Sequence, residues 1–136
     1  MNTYSRKIRS SIPHLQQQID DCLSMIVADA GFAEFWETRQ DEGWRAAITN
    51  TERGFCHYTA RTITVPLWAF QKGTEYFHYY VAHELAHVLN HHYYKTRGHG
   101  PSFQAFLIRL TPYVKYELAY KPRLAVAAGI TRSMGT

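Results

Sequence analysis

Thr74-Glu75-Tyr76-Phe77-His78-Tyr79-Tyr80-Val81-Ala82-His83-Glu84-Leu85-Ala86-His87-Val88-Leu89-Asn90-His91-His92 is the stretch on which the fold and the chemistry both turn. Phe77, Val81, Leu85 and Val88 recur at three- and four-residue steps, and Ala82, Ala86 and Leu89 widen that stripe. The pattern predicts a helix from Thr74 to about His92, apolar almost all round and therefore buried in the middle of a domain. Inside it lies His83-Glu84-Leu85-Ala86-His87, an HExxH pattern. Residues four apart on a helix rise ~6 Å and share a face, so the two imidazoles can converge on one metal ion. Glu84, beside the first of them, can hold a water there and take its proton. Val81, Ala82 and Leu85 keep such a site dry. A bland alternative is two core histidines with an incidental glutamate; the mid-helix position and apolar flanks favour a zinc site instead.

A catalytic zinc needs a third protein ligand and one open position. The candidates downstream are His91, His92, His99 and Glu117. If the helix continues, His91 lies ~12 Å along the axis from His83, too far to share an ion. His92 faces away from the stripe, and both residues read more simply as a polar helix end near the C-terminal dipole. His99 sits between Gly98 and Gly100, which allow the backbone bend that a return to the helix requires. It is the expected third ligand, with Glu117 as the runner-up.

Outward from this helix the chain reads as α+β. Residues 13–30 form a helical pattern, with Pro13 suited to a first turn, Leu15, Ile19, Cys22, Met25 and Ile26 on one face, and Gly31 as the stop. Residues 32–43 are ambiguous. Trp44–Thr49, Gly54–Thr59 and Thr62–Val65 read as three strands, and Pro66 ends the last one or places it at a sheet edge. Residues 93–100 read as a loop. Pro101 opens a further helix carrying Phe103, Phe106, Leu107 and Leu110 and stopped by Thr111-Pro112. The tail from Tyr113 is expected to be helical in pieces, broken at Pro122. Three short strands followed by helices are α+β rather than alternating α/β.

With 136 residues, 46% of them hydrophobic and 19% charged, the chain can bury a core, and one domain over residues 1–136 is expected. Cys22 and Cys56 make no disulfide framework, and two free thiols in a reducing cytoplasm are expected. No apolar run approaches the ~20 residues of a membrane span. No apolar stretch follows Met1–Arg9, so no secretory signal is expected. The net charge of +4 is uneven: residues 1–85 hold eight Lys/Arg against ten Asp/Glu, whereas residues 86–136 hold seven against Glu117 alone. A basic half with interspersed tyrosines such as Tyr116 and Tyr120 could track single-stranded DNA. Its dispersed charges, with no run of adjacent Lys/Arg, favour the plainer reading of a solvated surface.

His83–Phe103, HELAHVLNHHYYKTRGHGPSF, resembles the SprT-like and WLM metallopeptidases, whose pattern is HExxH, a variable loop, then His-Gly-x-x-Phe/Trp. Gly54-Phe55-Cys56 and Thr62–Val65 resemble the strand pair that precedes the family's active-site helix. The likeness covers about residues 10–112 and is strongest over 77–106. It implies a zincin-like fold, zinc ligands His83, His87 and His99, and Glu84 as acid/base. It also implies proteins bound or crosslinked to DNA as substrates. The chain departs from the pattern in having no cysteine after Cys56, hence no zinc ribbon. The expected function is zinc-dependent hydrolysis of a protein or peptide, with an edge strand around Thr62–Val65 adding the substrate to the sheet. The rival readings are a DNA-associated adaptor with little turnover, against which the intact Glu84 argues, and a purely structural zinc, for which no fourth ligand is evident. Cys56 is expected to be buried rather than nucleophilic. No one tyrosine is singled out for stabilising an oxyanion.

Overall fold

A computed structural model describes residues 3–116. Glu117 and the tail beyond it, including Tyr120, Lys121, Pro122 and Arg123, lie outside the described residues. The described chain is mixed α+β, in the order α1 (Thr3–Ala30), α2 (Ala33–Asp41), β1 (Arg45–Thr49), β2 (Cys56–His57), β3 (Thr62–Pro66), α3 (Leu67–Gln71), α4 (Thr74–Tyr94) and α5 (Pro101–Leu110). No helix among the described residues is long and apolar enough to cross a membrane.

Helix α1 begins ten residues before Pro13, which therefore lies within it rather than in its first turn, at the loss of one backbone hydrogen bond. Its buried face is Leu15, Ile19, Leu23, Ile26 and Val27, while Met25 is exposed. A 3.6-residue period carries the stripe through 23 and 27, not 25. At Gly31, φ is 81°, a conformation that stops α1 and lets Phe32 turn back, its N–H donating to the Val27 carbonyl at 2.7 Å. The ambiguous stretch that follows is helical and buries Trp36.

The sheet order is β1-β3-β2, with β1 parallel and β2 antiparallel to β3. This corrects the expected edge: β3 is the central strand, all five of its residues are buried, and Pro66 closes it opposite Thr49. The edge strand on the other side is β2, shorter than its sequence pattern suggested. A proline is tolerated at the end of a central strand because the ladder needs no further N–H there.

Helix α4 packs against the sheet, α1, α3 and α5. Every residue from Val81 to Asn90 is buried, so the HExxH segment lies in the most enclosed stretch of α4. Phe103 and Leu107 of α5, fully buried, close the other side of α4.

Candidate metal centre

One turn of α4 separates His83 from His87, and their ring centroids are 5.1 Å apart. Helix α4 ends where Lys95 adopts a left-handed conformation (φ 57°), which swings the chain back along the helix. The return is made there, and neither Gly98 nor Gly100 has a positive φ. His99 Nε2 comes to 3.0 Å from His87 Nε2 and 3.3 Å from His83 Nε2. These three histidines form a cluster that could hold a metal ion. A tetrahedral ion with metal–nitrogen bonds of ~2.0–2.1 Å sets its ligands about 3.3–3.4 Å apart, so the observed spacing fits.

Two features hold this geometry. Phe103 is wholly buried and packs its ring 5.0, 4.4 and 4.9 Å from the rings of His83, His87 and His99. Asn90, 1% exposed, spans the loop that carries His99: its Nδ2 donates to Thr96 Oγ1 at 2.8 Å, and its Oδ1 accepts from Ser102 Oγ at 2.6 Å. Phe103 is the aromatic of the His-Gly-x-x-Phe pattern. The role of Asn90 was missed in the sequence, where the one signal was an amide continuing a buried stripe.

Glu84 is 3% exposed, with Oε1 4.0 Å from His83 Nε2. It stands beside the cluster, whose three facing nitrogens are all imidazole. His91 and His92 stand apart from it. The His91 ring lies 4.4 Å from Tyr58, and the His92 ring 5.1 Å edge-on to Phe35. Both imidazoles are held toward the neutral form, first by desolvation and then by the cations beside them, Arg97 and Lys95 for His91, Arg39 and Lys95 for His92. Both stand in the last turn of α4, as the helix-end reading has it, with the positive charge disfavoured there by desolvation and the neighbouring cations. The runner-up ligand Glu117 lies outside the described residues.

The cluster opens into a cleft of about 750 Å³. One face of α4 lines it, through Tyr76, Tyr79, Tyr80, His83, Glu84 and His87, and the opposite wall is the segment Gly54–Cys56 with Tyr58. Gly54 is pressed so close that a Cβ there would sit 2.2 Å from the Thr64 carbonyl and 2.7 Å from the Tyr80 ring. Its N–H donates to Tyr80 Oη at 2.8 Å, tying this wall to α4. Cys22 and Cys56 are free thiols. Cys56 is half-buried in the cleft wall rather than fully buried, and its pKa is pushed up to about 12, chiefly by desolvation and also by Glu84. A thiol so far from ionisation is no nucleophile at neutral pH.

No curated protein and no solved structure shows significant similarity to this chain. The sequence does match the SprT-like family over residues 28–131, a span that holds the three converging histidines, Glu84 and both walls of the cleft. The chain belongs to the SprT-like family.

Proposed function

We propose that this chain is a zinc-dependent peptidase acting on a protein or peptide. The observation that carries the reading is the convergence of three imidazole Nε2 atoms beside the buried carboxylate of Glu84. Three histidines and no thiolate are the donor set of a hydrolytic zinc rather than a structural one. Bound there, zinc supplies Lewis-acid polarisation of the scissile carbonyl and lowers the pKa of a coordinated water toward 7. Glu84 accepts the proton of the attacking water at its carboxylate and passes it to the departing amine nitrogen. Its burial, at 3% exposed, strengthens both transfers by limiting bulk water around it.

The corrected edge strand supplies a binding surface. Phe55 exchanges backbone hydrogen bonds with Thr64 at 3.2 and 2.8 Å. In an antiparallel ladder this turns the backbone groups of Gly54 and Cys56 to the opposite, cleft-facing side. Gly54 N–H is taken by Tyr80, so Cys56 N–H and C=O are the groups with which an extended substrate pairs. Recruitment to single-stranded DNA is a separate proposal resting on the charge imbalance of residues 86–136. The described part of that half contributes Lys95, Arg97, Arg109 and Lys115, of which Lys115 is paired with Glu75 at 3.3 Å.

The test of the peptidase reading is metal removal and reloading. Chelated protein should lose cleavage of an unfolded protein substrate and regain it with one equivalent of zinc, and His99→Ala should not be reloaded. Cleavage that survives chelation contradicts the reading.

A further inference from the structure

The cleft extends well past the metal centre, and its two ends differ. At one end stand Trp68 and Tyr76, with the Lys72 ammonium 5.3 Å from each ring centroid. Glu52 and Arg53 line this end as well, and the Glu52 carbonyl accepts from Trp68 Nε1 at 2.7 Å. At the other end Tyr58 carries the His91 ring at 4.4 Å and the Arg97 guanidinium at 4.5 Å from its own ring centroid. Among the described residues no carboxylate lies within ion-pair distance of Arg97. The acids that line the cleft are Glu84, beside the histidines, and Glu52, at the opposite end. The Arg97 guanidinium sits over the Tyr58 ring, and a planar guanidinium takes a carboxylate by two parallel hydrogen bonds.

Distance along α4 sets where a substrate would meet this group. Eight residues separate His83 from His91, about 12 Å of helix. An extended peptide advances ~3.3 Å per residue. The cluster spans His83 to His87, ~12 to ~6 Å of helix from His91, so the Arg97 end is reached by a side chain about two to four residues from the bond held at the histidines. Resting on the peptidase reading, we propose that the Tyr58–Arg97 end of the cleft is a subsite for an acidic side chain, Asp or Glu, about two to four residues from the scissile bond. Arg97 is its specificity-determining residue and Tyr58 the platform that orients it.

The test separates this subsite from catalysis by using the zinc-loaded Glu84→Gln protein as a non-cleaving binder. Fluorescein-labelled decapeptides of one sequence carry Glu, Gln or Lys two, three or four residues to either side of the central bond. Fluorescence anisotropy should rank Glu above Gln above Lys at one of these positions, with Glu over Gln roughly fivefold, the scale of a solvent-exposed ion pair. Adding Arg97→Gln should abolish the ranking, Arg97→Glu should invert it, and Arg97→Lys should restore part of it. Equal binding of the three peptides overturns the proposal, as does a ranking that survives Arg97→Gln. So does an Arg97-dependent affinity for an oligonucleotide without discrimination among peptides. Failure of the wild-type protein to cleave the Glu peptide, with the ranking intact in Glu84→Gln, would refute the peptidase reading and leave the subsite standing.

Discussion

Asn90→Ala probes how the third histidine is delivered. Asn90 is fully buried and joins both ends of the His99 loop, through Thr96 Oγ1 at 2.8 Å and Ser102 Oγ at 2.6 Å. Each bond is worth about 0.5–1.5 kcal/mol net, so roughly 1–3 kcal/mol is available to hold His99 against its partners. If that energy is transmitted in full to the metal centre, zinc affinity falls about 5- to 150-fold, since 1.4 kcal/mol is a factor of ten. The assay is competition with a chelator of known affinity, with His99→Ala as the upper limit. Ser102→Ala should weaken binding in the same sense, and its effect should not add to that of Asn90→Ala because the two share one bond. Thermal unfolding of the zinc-free proteins measures the purely structural part. Zinc affinity within twofold of wild type, with only the zinc-free melting temperature lowered, would refute the argument.

Gly54→Ala forces a Cβ into the Thr64 carbonyl and the Tyr80 ring; it should destabilise the fold by about 1–3 kcal/mol, and an unchanged thermal melt would show that the strand can move aside freely. Gln104 is 1% exposed and neither of its amide atoms has a hydrogen-bond partner among the described residues. Gln104→Met should therefore raise the melting temperature by relieving roughly 1–3 kcal/mol of desolvation, and a fall in melting temperature would contradict this. Labelled single-stranded DNA should bind weakly, with steep salt dependence, and charge reversal of Lys115, Lys121 and Arg123 to Glu should abolish it. No binding at low salt, or binding indifferent to the reversals, removes the nucleic-acid proposal.

The centre of the molecule was readable because its signals are local. The spacing of His83 and His87, the stripe from Phe77 to Val88, and the start of α5 at Pro101 each lie within one helical turn or a few. His99 is singled out by its flanking glycines, which would let the loop fold back; the structure brings it to the other two histidines, but the turn is made by Lys95. What escaped depends on partners far apart in the chain. Which strand lies at the edge is decided by β1 pairing with β3 across the intervening β2, and no single strand records it. Helix α3 has five residues, too few to show a period. Among ten tyrosines, Tyr58, Tyr76, Tyr79 and Tyr80 face the cleft because of how α4 meets the sheet, and composition carries none of that.

In the proposed reaction Glu84 moves the proton and the metal is held by His83, His87 and His99. The direct measurement pairs zinc content with peptide hydrolysis in wild type and Glu84→Gln, prepared side by side. Glu84 is no ligand in this arrangement, so both proteins should hold one zinc per chain and melt alike. Hydrolysis by Glu84→Gln should fall by roughly 10²–10⁴-fold, the scale of a lost general base. Equal hydrolysis by the two proteins at equal zinc content would contradict the account.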